Sequence, residues 1–312
     1  MPDAHDSPAT SPFVMERLLR DAYRREKREE WANADDGVPA GAAVPADDPV
    51  ETAQELAYQA YESDDADAAR ALVERALGHD PACVDALTIR AFLESEDAGT
   101  LIEALEQALA VGEEVLGEEF FAEHMGGFWP LVQARPYLRA VKQLAEVLWN
   151  VGRRFDAVAQ YESLLDLDPE DNMGNMALLL GYYLAMGEVQ RAWDLLEEHQ
   201  DEDNTVCAWS WVLLFLQTGD EEAALDALRH AVGLNAHVAP LLVGLADVPD
   251  AELPAFFVAG SREEAVSTLE IVGEGFSRVS EVQLWLYNAL IAVGAIDPEP
   301  DDDAPGAARV GL

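Results

Sequence analysis

The chain has 312 residues, half of them hydrophobic, and a formal net charge of −42 from 61 acidic against 19 basic side chains. That length and apolar content suffice for a buried core in one large or two ordinary domains, and Leu, Ala and Val in periodic runs exclude disorder for most of the chain despite its charge. The charge excludes general nucleic-acid binding, which needs cations to displace condensed counterions. Two explanations fit the acidity. One is a proteome adapted to high salt, where a short Debye length mutes repulsion between hydrated carboxylates; the other is a dedicated acidic surface for a basic partner. Cys83 and Cys207 stand alone, in no CxxC spacing, which fits a reducing interior. The N-terminal residues lack an apolar signal core, and no run of about eighteen apolar residues exists to span a membrane. These features place the chain in the cytoplasm.

In chain order, residues 1–31 read as a polar leader and a basic amphipathic helix. Ser11 and Pro12 give its start signals, and six basic residues lie between Arg17 and Arg28. That helix has three readings: docking back on an acidic face of its own chain, reaching another molecule, or touching a membrane or nucleic acid. The last is weakest, because Glu16, Asp21, Glu26, Glu29 and Glu30 nearly cancel its charge. Residues 32–49 are Ala, Asp, Gly and Pro without period, and read as a linker.

Residues 50–117 form two helical pairs, the first over Glu51–Ser63 and Ala66–Gly78 with Asp64-Asp65 at the turn. Residues 118–137, EEFFAEHMGGFWPLVQARPY, form an irregular aromatic insertion broken by Gly126-Gly127 and Pro130. Residues 138–236 hold three more regular pairs. Ala157, Ala192 and Ala224 mark close approach of their second helices, and Gly152, Gly187 and Gly219 mark the turns. Residues 237–296 are an irregular segment, where Pro240, Pro249 and Pro254 exclude a long helix, followed by two closing helices; Ser261 and Glu264 predict a capping box on the first. The acidic tail 297–312 reads as disordered.

Two stretches share one spacing: Val141, Leu144, Ala145, Leu148, Ala157, Tyr161, Pro169 and Ala53, Leu56, Ala57, Ala60, Ala69, Val73, Pro81, both ending in Asp-Pro. With substitutions they fill the helix–turn–helix pattern of the tetratricopeptide repeat, and the chain resembles that superfamily. Gly127-Phe128-Trp129, Ala134 to Ala140, Asn235 to Val238, Leu253-Pro254 and Glu263 to Ala265 are also similar to prokaryotic repeat proteins related to the suppressor of tumorigenicity seven family. The resemblance implies an all-α, right-handed solenoid of about five helix pairs with an irregular aromatic insertion, serving as a partner-binding scaffold without chemistry of its own.

The residues themselves offer no reaction. The six histidines are scattered, Glu119, Glu123 and His124 are an uninformative trio in so acidic a chain, and GxxxxGK[ST], GxGxxG and GxSxG are absent. No metal, cofactor or catalytic group is therefore expected, and no enzyme.

Repeat geometry puts a groove on the first helix of each pair. It places Gln54, Tyr58 and Tyr61 there in the first repeat, then Arg139, Lys142, Glu146, Trp149 and Asn150, then Leu184, then Trp209 and Leu213. Lys142 is one of only two lysines, so a basic end followed by an apolar, tryptophan-lined floor predicts a peptide or protein partner. The opposing reading has Arg139 and Lys142 paired with the chain's own acids. The carboxylate clamp of chaperone-binding superfamily members is incomplete here: Glu146, Leu178, Val206 and Ser210 occupy its positions. The expected function is a non-catalytic adaptor in a salt-adapted cytoplasm. The alternatives are a structural subunit self-associating through its N-terminal helix and a metal enzyme near His124.

Overall fold

A computed structural model describes residues 11–33, 48–199, 204–249, 253–254, 257–278 and 280–296. The expected leader before residue 11, most of the linker (34–47) and the tail 297–312 lie outside the described residues. The described chain is all-α, with fifteen helices and no strand. It divides into two compact units, Met1–Met173 and Gly174–Leu312.

The first unit holds α1 (Val14–Asn33), α2 (Pro49–Tyr61), α3 (Ala66–His79), α4 (Val84–Glu94), α5 (Ala98–Leu116), α6 (Glu118–His124), α7 (Arg135–Asn150) and α8 (Arg154–Leu167). α2 packs on α3, α4 on α5 and α7 on α8, and α4 and α5 also meet α7. Small residues allow this: Ala53, Ala57, Ala60, Ala69, Ala76 and Ala86 form most of a core with Leu56, Val73, Cys83 and Ile89. Part of the acidity has a local use. Asp48, Asp65 and Asp97 are N-caps whose carboxylates accept backbone N–H groups, worth about 1 kcal/mol each. Of the aromatic stretch, 118–124 is helical and 135–137 is the first turn of α7. Phe128 is buried between the rings of Phe120 and Phe121, Phe121 meets Tyr137 edge-on, and the Phe128 N–H donates to the Leu167 carbonyl at the end of α8.

The second unit holds α9 (Asn175–Met186), α10 (Val189–Glu198), α11 (Thr205–Thr218), α12 (Glu221–Leu234), α13 (Val238–Leu242), α14 (Arg262–Ser277) and α15 (Ser280–Ala292). α9 pairs with α10 and α11 with α12. Gly187 and Gly219 end α9 and α11 at φ 76° and 80°, conformations that a side chain resists.

Two details differ from the sequence expectations. Ser261 caps α14, but the Glu264 carboxylate reaches Gly260 N–H and Asn235 Nδ2 (2.7 and 2.8 Å), so the second half of the capping box is made one residue early. The larger difference is where α14 goes. Rather than extending the row beyond α12, it lies on α9 and α11, the first helices of the preceding pairs. Glycines permit the approach: a Cβ on Gly181 would sit 2.5 Å from the Ile271 carbonyl oxygen, and one on Gly275 2.6 Å from Leu213 Cδ2.

Gly181→Ala is therefore expected to cost about 1–3 kcal/mol through overpacking, read as a lower urea midpoint. Gly78→Ala, where a Cβ meets nothing within 4 Å, is expected to be neutral or to stabilise by up to about 1 kcal/mol. Equal midpoints for the two variants would contradict the close α9–α14 contact.

Candidate functional site

The most elaborate polar arrangement in the described chain lies in the first unit, where α1 meets α2, α4 and α7. It is built around Arg139 on α7. Asp85, near the start of α4, is fully buried among apolar neighbours, so its charge needs a partner. Arg139 supplies one with a fork: Nε to Asp85 Oδ1 at 3.0 Å and Nη2 to Oδ2 at 2.5 Å. Gln54 Nε2 and the Tyr61 hydroxyl, both from α2, donate to the remaining lone pairs of Asp85 at 2.6 and 3.3 Å.

The same guanidinium makes a second fork to α1. Nη1 and Nη2 donate to Glu16 Oε2 and Oε1 at 2.8 and 3.0 Å, and the Tyr58 hydroxyl donates to Glu16 Oε1 at 2.5 Å. One turn on, Arg20 donates to the Tyr58 oxygen at 2.9 Å, to Glu51 at 3.2 Å and to the Val132 carbonyl at 3.3 Å. Arg135 lies 3.9 Å from Glu16, with its own Nε on the Trp129 carbonyl and its plane over the Trp129 ring. Three guanidiniums thus face three carboxylates. Burial alone would lower the pKa of Arg139, but Asp85 and Glu16 reverse this and hold it well above its ordinary value. Burial likewise pushes the Tyr58 and Tyr61 hydroxyls up, so they act as donors.

Around this centre α1 adds an aromatic and an exposed ionic contact. Phe13 stacks on Tyr58, ring centroids 4.5 Å apart, and also meets Tyr61. Arg17 bridges Glu55 and Glu62, and Ser11 also donates to Glu62. Hydrogen bonds from Arg17, with a smaller one from Ser11, lower the Glu62 pKa. Docking of α1 in its own chain, one of the readings open in the sequence, is what the structure contains.

The expected groove residues fall elsewhere. Arg139 is committed to Asp85 and Glu16. Lys142 donates to the Met173 carbonyl at 3.0 Å and ties down the turn after α8; burial lowers its pKa, and burial raises that of Glu146 one turn on against the pull of Lys142. Trp149 lies under the Arg154 guanidinium, 4.7 Å from ring centroid to Cζ, and Asn150 is exposed at the end of α7. Leu184, Trp209 and Leu213, in the other unit, are at most 1% exposed. α14 covers them, with Phe276 on Trp209 and Gly275 against Leu184 and Leu213. An open floor at these three positions is corrected to an occupied one, because α14 folds back over α9 and α11.

Gln54, Tyr58 and Tyr61 are assembled around the network, as first-helix geometry implied. Nothing in the sequence marks Asp85 or Glu16 as a partner of Arg139, because one acid among 61 carries no signal. Among the described residues no cluster of three potential metal-ligating side chains occurs, and no helix is long and apolar enough to cross a membrane. Compared with known proteins, no family model matches the chain and no curated protein matches it.

Arg139→Ala, which strands the buried Asp85 carboxylate, is expected to lower unfolding free energy by about 3–5 kcal/mol, the scale of breaking a buried pair by removing one partner. Arg153→Ala, which breaks a half-exposed i,i+3 pair with Asp156, should cost at most about 0.5 kcal/mol. Urea unfolding of both variants checks this; comparable losses would contradict the buried network.

Proposed function

We propose that this chain is a non-catalytic helical-repeat scaffold of the tetratricopeptide type, a right-handed solenoid acting in a salt-adapted cytoplasm, that binds a peptide or protein partner on the groove side of its first helices. The observation that carries the reading is that this side of the first unit already accepts a helix, with aromatic, anionic and cationic side chains each received by a matching group. The order of helical pairs, their spacing and the glycine turns support the repeat assignment. Its non-catalytic character draws on Cys83, whose thiol burial pushes up to about 12, and on basic side chains engaged within the chain.

Self-association through α1 is a second reading. It draws on the outward face of that helix, where Met15 and Leu18 are 63% and 56% exposed.

A photo-crosslinking side chain at Gln59, on the exposed edge of α2, tests the first reading in native high-salt lysate against the same group at Ala110 on α5. Discrete partner bands from Gln59 and none from Ala110 are expected. If both positions capture the same set, the groove reading is abandoned; crosslinks between copies of the chain from a group at Leu18 would favour the second.

A further inference from the structure

The face beneath α1 is defined closely enough to specify what binds it. α1 reads it with Phe13, Glu16, Arg17 and Arg20, the i, i+3, i+4, i+7 positions of one helical face. Phe13 uses the Tyr58 and Tyr61 rings, Glu16 uses Arg139 and Tyr58, Arg17 uses Glu55 and Glu62, and Arg20 uses Glu51 and the Val132 carbonyl.

Three observations mark α1 as a removable occupant. Among its described side chains, residues 14–25, the buried ones are the charged Glu16 and Arg20 rather than hydrophobic residues. Its described contacts are made by the long polar side chains of Glu16, Arg17 and Arg20, with the Phe13 ring just before the helix. Its departure takes Glu16 and Arg20 together and leaves Arg139 still forked to Asp85, while Arg135 and Glu51, which lose their partners on α1, are opened to water on the vacated face.

Resting on the scaffold reading above, we infer that this face is the partner site, that α1 is its built-in competitor, and that the partner is a helix from another protein bearing an aromatic residue, a carboxylate three positions on, and basic residues four and seven positions on. Carried on the same chain, α1 competes at an effective concentration of about a millimolar. If α1 itself binds the face with an intrinsic Kd of about 0.1 mM, any partner is then weakened roughly tenfold, and a second copy of the chain has no advantage over the α1 already attached.

The test uses the full chain and a labelled synthetic peptide of residues 11–33 as the partner mimic. Phe13→Ala with Glu16→Lys in the full chain releases α1, since a lysine there faces Arg139 and Arg135. Fluorescence anisotropy is expected to show the peptide binding this variant about tenfold more tightly than the unaltered chain. A peptide carrying the same two substitutions is expected to bind neither. Should that variant not fold, Arg17→Glu weakens docking from the exposed rim alone and is expected to shift affinity in the same direction.

Equal peptide affinity for altered and unaltered chains overturns the competitor role, and equal binding of both peptides overturns the recognition pattern. A micromolar dimer of the unaltered chain in light scattering that is lost with Phe13→Ala and Glu16→Lys makes a second copy the occupant and overturns the foreign helix. Crosslinking from Gln59 reports any partner whatever its sequence. A captured partner alongside failed peptide binding leaves the scaffold reading standing and removes only this inference.

Discussion

Burying Asp85 is the constraint from which the first unit's polar architecture follows. A carboxylate with no exposed surface is tolerated only when paired and hydrogen-bonded on every side. α2 supplies Gln54 and Tyr61, and α7 supplies Arg139. A guanidinium has five donors in a fixed plane, so a fork to Asp85 leaves others aimed outward. Glu16 of α1 takes them. The docked helix is a consequence of how the acid beneath it is satisfied.

The two units cover their first helices by different physics. α14 meets α9 and α11 through glycines, with ring and aliphatic contacts that close out solvent, an attachment that cannot be loosened without opening an apolar core. α1 meets α2 and α7 through ion pairs, with one aromatic stack from Phe13 just before it. Its rim pairs, involving Arg17, Glu55 and Glu62, are exposed enough for salt to weaken them, while the Glu16–Arg139–Asp85 line is sheltered. In a protein of net charge −42, a basic helix is drawn to its own chain over long range at low salt. Aromatic stacking and buried hydrogen bonds hold it when salt is high.

Much of the helical order was legible in the sequence because its signals are local. Proline, N-cap aspartates and glycine turns act over a few residues, and the first pair, expected at Glu51–Ser63 and Ala66–Gly78, lies at Pro49–Tyr61 and Ala66–His79. What escaped depends on distance along the chain. Nothing near Gly181 or Gly275 in the sequence announces that they meet α14 and α9. Asp85 looks like any other acid until Arg139, 54 positions later, is brought beside it. The rarity of lysine drew attention to Lys142, yet rarity reflects composition, and that ammonium serves a turn. Arg139, which the sequence offers to a partner, is instead committed to Asp85 and Glu16.

The central claim is that α1 is held on its own chain through the Glu16–Arg139 pair. A double-mutant cycle measures this directly, using Glu16→Gln and Arg139→Gln singly and together with urea unfolding in high salt. The account predicts a coupling energy of about 1 kcal/mol, Glu16→Gln costing that much less once Arg139 is already Gln. Additive losses, with a coupling within about 0.3 kcal/mol of zero, would contradict it.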